Sequence, residues 1–132
     1  MLATPPDVEK KVIDFLISAL LARSEDVTVG INVPPTWTTT TKPHILVALD
    51  GTVDIQYPIT AAATIRVTSW SSSPSTAKRL ANLCQGLLIS TGAISGIASI
   101  QALTGVLPAK DNATSAQLAS VTVRVNVRFT AL

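Results

Sequence analysis

At 132 residues and 13.8 kDa, with 47% hydrophobic and 14% charged residues, the chain is expected to form one domain with a sizeable core. The single cysteine, Cys84, excludes an intramolecular disulfide and makes a thiolate zinc site untenable, and the single histidine, His44, removes most acid–base schemes. A net charge of +2 and a pI near 9.0 fall short of a nucleic-acid footprint, while a mean hydropathy of +0.43 leaves Ser and Thr to supply the polarity and predicts a surface suited to burial against neighbours.

Pro5, Pro6, Asp7 and Glu9 interrupt any apolar run near the first residues, and no run approaches the roughly twenty residues that cross a bilayer. Neither a signal peptide nor a membrane helix is expected, and the chain reads as soluble and made in a cytoplasm. Thr4 is placed to cap a first helix, with Pro5 at the first helical position and the Asp7 carboxylate close to free N–H groups. Val8, Val12, Phe15, Leu16, Ala19 and Leu20 form its core stripe. Ile13, Ile17 and Leu21 widen the stripe until the second half is apolar over most of its circumference, which predicts cover on more than one side, from the monomer or from a neighbouring subunit.

Ser24, Glu25 and Asp26 stop this helix, and Val27, Val29, Ile31 and Val33 then alternate with polar or small residues in a strand that ends at Pro34-Pro35. Thr36 to Lys42 has β propensity without a face to bury, so it reads as an exposed arm, with Trp37 a contact anchor rather than a core residue. His44 lies at the edge of a short, almost continuously apolar strand, Ile45 to Leu49, of the kind covered on both faces. Asp50-Gly51 predicts a turn, and Pro58 limits the weak alternation from Thr52 to Tyr57 to a sheet edge.

From Ala63 to Ser69 the alternation is regular, with Ala63, Ile65 and Val67 on one face and Thr64, Arg66 and Thr68 on the other. Trp70 closes the strand, and Ser73-Pro74 reads as an N-cap followed by proline at the first helical position. Ala77, Leu80, Ala81, Cys84, Leu87 and Leu88 form the core stripe of a second helix lying on the sheet, with Lys78, Arg79, Asn82 and Gln85 outward. Cys84 is therefore a small core residue. Thr91 and Gly92 end the helix, Ile97 to Leu103 predicts a strand, and Pro108, Lys110, Asp111 and Asn112 a polar loop. Val121, Val123, Val125, Val127 and Phe129 then alternate without error against Thr122, Arg124, Asn126, Arg128 and Thr130. This order predicts one α/β (α+β) domain over residues 1–132, a two-layer sandwich with a mixed or mainly antiparallel sheet of four to five strands and two helices packed on it.

Chemistry is harder to place. No serine run has the glycines of a nucleophile elbow, no glycine pattern cradles a phosphate, and Asp50 with Asp54 is too sparse a pair for a hard cation that takes six or more oxygens. No enzyme activity, catalytic residue, metal or cofactor is expected. Arg66, Arg124 and Arg128 stand on the polar faces of strands expected in one sheet, where they make either a positive contact surface or an ordinary solvated face. Charge is also uneven: residues 1–60 hold seven acids and four bases (−3), and residues 61–132 hold one acid and six bases (+5). Copies set side by side would present complementary potentials if the halves emerge on different faces.

The order of elements resembles the tail terminator proteins of long, non-contractile-tailed bacteriophages. The apolar helix Val8 to Ala22, the strand ending in Pro34-Pro35, Lys42-Pro43 before Ile45 to Leu49, Asp50-Gly51, the strand Ala63 to Trp70, the Ser-rich approach to the helix of Ala77 to Leu88, and the strand Val121 to Phe129 carry the resemblance, which spans nearly the whole chain. It implies a structural virion protein of the tail neck, assembled in the host cytoplasm. Copies would form a ring, six in that family, at the head-proximal end of the tail tube. The ring would halt tube polymerisation and join the head connector or stopper, with DNA passing through it unread. The implied partners are further copies of the chain, the tube protein and the connector, with no membrane. No family binding residue maps onto a single position here, so Trp37, Lys42, Arg66, Arg124 and Arg128 are interaction candidates on their own chemistry. Another neck component, a head–tail connector or tail-completion protein, has a similar order, and a ligand-binding or enzymatic domain with a pocket under the first helix is the alternative of a different class.

Overall fold

The computed structural model describes residues 2–91 and 94–132, so the helix end read at Gly92 lies outside the described residues. In chain order the elements are β1 (Ala3–Thr4), α1 (Val8–Ala22), β2 (Thr28–Gly30), β3 (His44–Gln56), β4 (Thr60–Ser71), α2 (Pro74–Ser90), β5 (Ile97–Lys110), β6 (Gln117–Arg128) and β7 (Thr130–Ala131). Five strands form one sheet in the order β2-β3-β4-β6-β5, with β2 parallel to β3 and every other pair antiparallel. Strands β1 and β7 form a separate antiparallel pair. The result is the α+β sandwich that the periodicities predict, a mixed sheet with two helices on one face.

The stripes and alternations account for the core. Val8, Val12, Leu16 and Leu20 of α1 and Ala77, Leu80, Ala81, Cys84 and Leu88 of α2 meet Ile45, Val47, Ile65, Val67, Val121, Val123 and Val125 of the sheet, all buried. Each such Val, Leu or Ile contributes about 1.5–3 kcal/mol by leaving water. One buried polar link joins the layers where Ser69 Oγ donates to the Ala77 carbonyl at 2.5 Å. Helix α1 lies over β2 and β3, and α2 over β4, β6 and β5. The acidic first half of the sequence thus forms one side of the sandwich and the basic second half the other.

Several boundaries differ from the sequence reading. The cap of α1 is Asp7, whose backbone is extended and whose carboxylate accepts from the Lys10 N–H at 3.2 Å, while Thr4 of β1 pairs with Thr130 of β7. A carboxylate directed at free N–H groups and the helix dipole is favourable, so the helix starts where Asp7 can supply it. The strand read over Val27 to Val33 keeps its ladder only from Thr28 to Gly30. Asp50-Gly51 makes no turn. Leu49 faces Ile65 and Gly51 faces Thr64, so Asp50 is the extra residue of a bulge and β3 runs on to Gln56. Gly51 has φ +147, open to glycine without steric cost. Pro108 and Lys110 lie in β5, an edge strand where a proline is tolerated, and the loop starts at Asp111. There the Asp111 carboxylate accepts from Thr114 Oγ1 at 2.6 Å and from the Thr114 N–H at 2.9 Å, which holds its pKa below the ordinary value.

Candidate assembly surface

Trp37, expected to be exposed on an arm, is buried, with 3% of its surface accessible. Its indole meets Trp70 edge-on at 5.7 Å between ring centroids, and its Nε1–H donates to the Lys42 carbonyl at 3.1 Å. The threonines around it form a compact loop. The Thr41 N–H donates to the Thr38 carbonyl at 3.0 Å, and the Thr38 N–H to Thr41 Oγ1 at 3.1 Å. An indole with a partner for both its ring and its N–H loses nothing by leaving water, which is why this segment folds back over the sheet. Lys42 stays exposed, with Nζ 3.3 Å from Asp26 Oδ1.

His44 is also buried, not at a solvent edge. It sits in the β2–β3 ladder opposite Thr28, whose Oγ1 lies 2.6 Å from Nδ1. Nε2 has no partner of good hydrogen-bond geometry among the described residues. Burial pushes the imidazole pKa below its ordinary value, partly opposed by the Asn32 backbone. Burial pushes the Cys84 thiol up to about 12, so it holds its proton and is no nucleophile.

Arg66 and Arg124 share the sheet face opposite the helices, as expected. Thr122 lies opposite Arg66, and Arg124 opposite Thr64, one step along the neighbouring strand. They do not, however, make a bare positive face. Because β3 continues past Asp50-Gly51, it lays two carboxylates beside them: Arg66 Nη2 is 3.5 Å from Asp50 Oδ1, and Arg124 Nη2 is 2.5 Å from Asp54 Oδ2. Arg124 Nε donates to Asn126 Oδ1 at 3.2 Å, and Asn126 Nδ2 to Ser99 Oγ at 2.8 Å, extending the polar row from β3 across to β5. Arg128 stands apart at the far end of β6 opposite Thr60, exposed and with no ion pair among the described residues. Trp37 and Lys42 lie at the other end of the sheet, by Trp70. The five candidates are thus dispersed, and no single cluster unites them.

The exposed surface is instead marked by apolar side chains. On the α1 side, Ile17 and Leu21 of the helix and Ile31 after β2 are exposed, as is Leu49 of β3, and a shallow cavity of about 200 Å³ is floored by Ile17, Leu20, Leu21, Val27 and Val29. The excess apolar girth of α1 is therefore not covered within the chain. On the other side Leu103 and Leu107 of β5 are exposed, with Ile89 of α2. At one end of the strands the β3–β4 hairpin exposes Val53, Ile55, Tyr57 and Ile59, joined by Leu2 and Leu132. This end is tied down. Tyr57 and Phe129 pack edge-on at 5.5 Å, the Ala3 N–H donates to Tyr57 Oη at 3.0 Å, and the Leu132 N–H to the Leu2 carbonyl at 2.9 Å. The apolar residues 53, 55, 57 and 59 recur at every second position, a signal present in the sequence but masked by Pro58 and the intervening Asp54. Contiguous apolar surface of this kind marks interaction sites more than solvated faces.

No protein-family profile matches the chain, and no curated protein matches it in sequence. Among solved structures, the fold is similar to that of a chain in the virion of the native gene transfer agent (GTA) particle. The TM-score is 0.63 with 13% sequence identity, covering 92% of this chain and 94% of that one. A likeness at that identity is one of fold, over almost the full length of both chains.

Proposed function

We propose that this protein is a structural component of a virion and works as a tail terminator: a ring, six copies in the family it resembles, that seats on the head-proximal end of a tail tube, ends its growth and joins it to the head connector. The observation that carries this reading is the full-length likeness of fold to a virion chain. Three features of the surface support it. Apolar side chains are exposed on both sides of the sandwich and at one strand end, the two sides differ in charge, and the polar row Asp54–Arg124–Asn126–Ser99 crosses an open sheet face. A ring needs lateral contacts and axial contacts, and such surfaces supply both kinds.

The test is addition of the purified protein to polymerising tube protein, followed by electron microscopy. The expected result is tubes of bounded length carrying a ring at one end. Unrestricted tubes without end density contradict the terminator role, and rings that bind head connectors while leaving tube growth unchanged identify another neck component.

A further inference from the structure

The two outer strands of the sheet are free in complementary ways. Among the described residues β2 covers β3 only at His44, Ile45 and Leu46, so the outer edge of β3 from Val47 to Gln56 has no strand beside it. On the opposite side, β5 (fourteen residues) pairs among the described residues with β6 alone and leaves its outer edge free. Between the register shifts of β3 and β5, the Asp54 kink (φ +50) and Pro108, these edges offer short rows of unpaired N–H and C=O groups, and Leu49, Val53 and Ile55 on one and Leu103 and Leu107 on the other add apolar side chains. Direction also fits. Strand β3 runs antiparallel to β4, β4 to β6 and β6 to β5, so β3 and β5 of one copy run in opposite senses. A copy rotated about an axis along the strands therefore brings its β5 beside the neighbour's β3 in the antiparallel sense.

Charge selects between the possible pairings. Residues 1–60, on the β2–β3 side, sum to −3 and residues 61–132 to +5. Asp14, Glu25, Asp26, Asp50 and Asp54 are each ion-paired within the chain, so the contrast a neighbour meets is carried mainly by Lys78, Lys110 and Arg128 of the second half, which have no ion pair among the described residues. Unlike sides attract and like sides repel, so head-to-tail contact is favoured over a two-fold contact. We infer that the β5 edge of one copy docks against the free β3 edge of a second copy, and that this heterologous junction, repeated, closes the ring. The inference rests on the ring reading above and assigns the surfaces that build it. It leaves the hairpin end, with Tyr57 and Ile59, as an axial surface for another virion component.

Mixing two edge variants tests it. Val53→Asp with Ile55→Asp spoils one edge, and Leu103→Asp with Leu107→Asp spoils the other; all four residues are exposed, and circular dichroism checks that both variants fold. Sedimentation is expected to show an oligomer for the unaltered protein, a monomer for each variant, and a dimer but nothing larger for their equimolar mixture, because each pair retains one intact junction. Variants that keep the oligomer mass, or a mixture that stays monomeric, overturn the assignment while leaving the ring reading intact. An unaltered protein that is itself monomeric overturns both. In a second measurement that does not depend on weakening the fold, Ile55→Cys and Leu103→Cys are placed in one chain and treated with a short bis-maleimide, with Cys84 buried and protonated. A ladder of linked copies is expected, and absence of intermolecular linkage contradicts the junction.

Discussion

Trp37 illustrates what single residues disclose and what they conceal. Thr-rich surroundings and two prolines suggest a side chain exposed to solvent, yet the indole is buried against Trp70 and bonded to the Lys42 carbonyl. Its partner is 33 positions away in sequence, and no local pattern records it. Trp37→Ala is expected to cost about 3 kcal/mol in denaturant unfolding, the scale for a buried aromatic, whereas an exposed contact residue would cost a few tenths. His44 makes a second prediction. Its pKa is depressed in the folded chain, so the unfolded chain takes up the proton first as pH falls. Stability is then full above the ordinary imidazole value of 6.5 and declines from there toward the lower folded value. Thermal melts between pH 7 and 5 are expected to show that decline, and His44→Gln to flatten it. Glu25 does not confuse the result. The Arg79 guanidinium, bonded to it at 2.6 Å, holds its pKa below 4.5, so its contribution is lost only in more acidic solution.

Among the elements, α2 and the centre of β6 are the most legible, because an amphipathic stripe after Ser73-Pro74 and a strict two-residue alternation each admit one reading, although the Ser73 side chain makes no capping bond and β6 begins four residues before Val121, at Gln117. The long edge strands are not. In β3 the Asp50-Gly51 pair carries a turn signal but sits in a bulge, and in β5 the glycines and Pro108 obscure a ladder that β6 holds in place. Bulges are settled by the neighbouring strand, which local sequence does not contain. Gln85 belongs to the same lesson. It sits on the outward face of the α2 pattern, yet its Nε2 donates to the Thr104 and Thr122 carbonyls at 2.7 and 3.2 Å, beside a register shift of β5 between Ala102 and Thr104. Gln85→Ala is expected to lower stability by about 1–2 kcal/mol, measured by urea unfolding, and to speed hydrogen exchange in β5 more than in β4.

For the whole molecule, the arrangement of charge and apolar surface says more about function than any individual side chain. The arginines that suggest a basic face are mostly answered by the chain's own carboxylates, so the open sheet face is a mixed polar surface, and binding must be sought at the edges and the hairpin end. The sequence discloses only half of those surfaces. The uneven charge of the two halves and the excess apolar girth of α1 were plain in the sequence, but that the halves form opposite sides of one sheet follows from the order β2-β3-β4-β6-β5. The central claim is that such a chain hides its exposed apolar sides against copies of itself. Native mass spectrometry of the purified protein tests this most directly. A discrete closed oligomer, six chains in the expected ring, is the predicted result, and a single 13.8 kDa species at every concentration contradicts it.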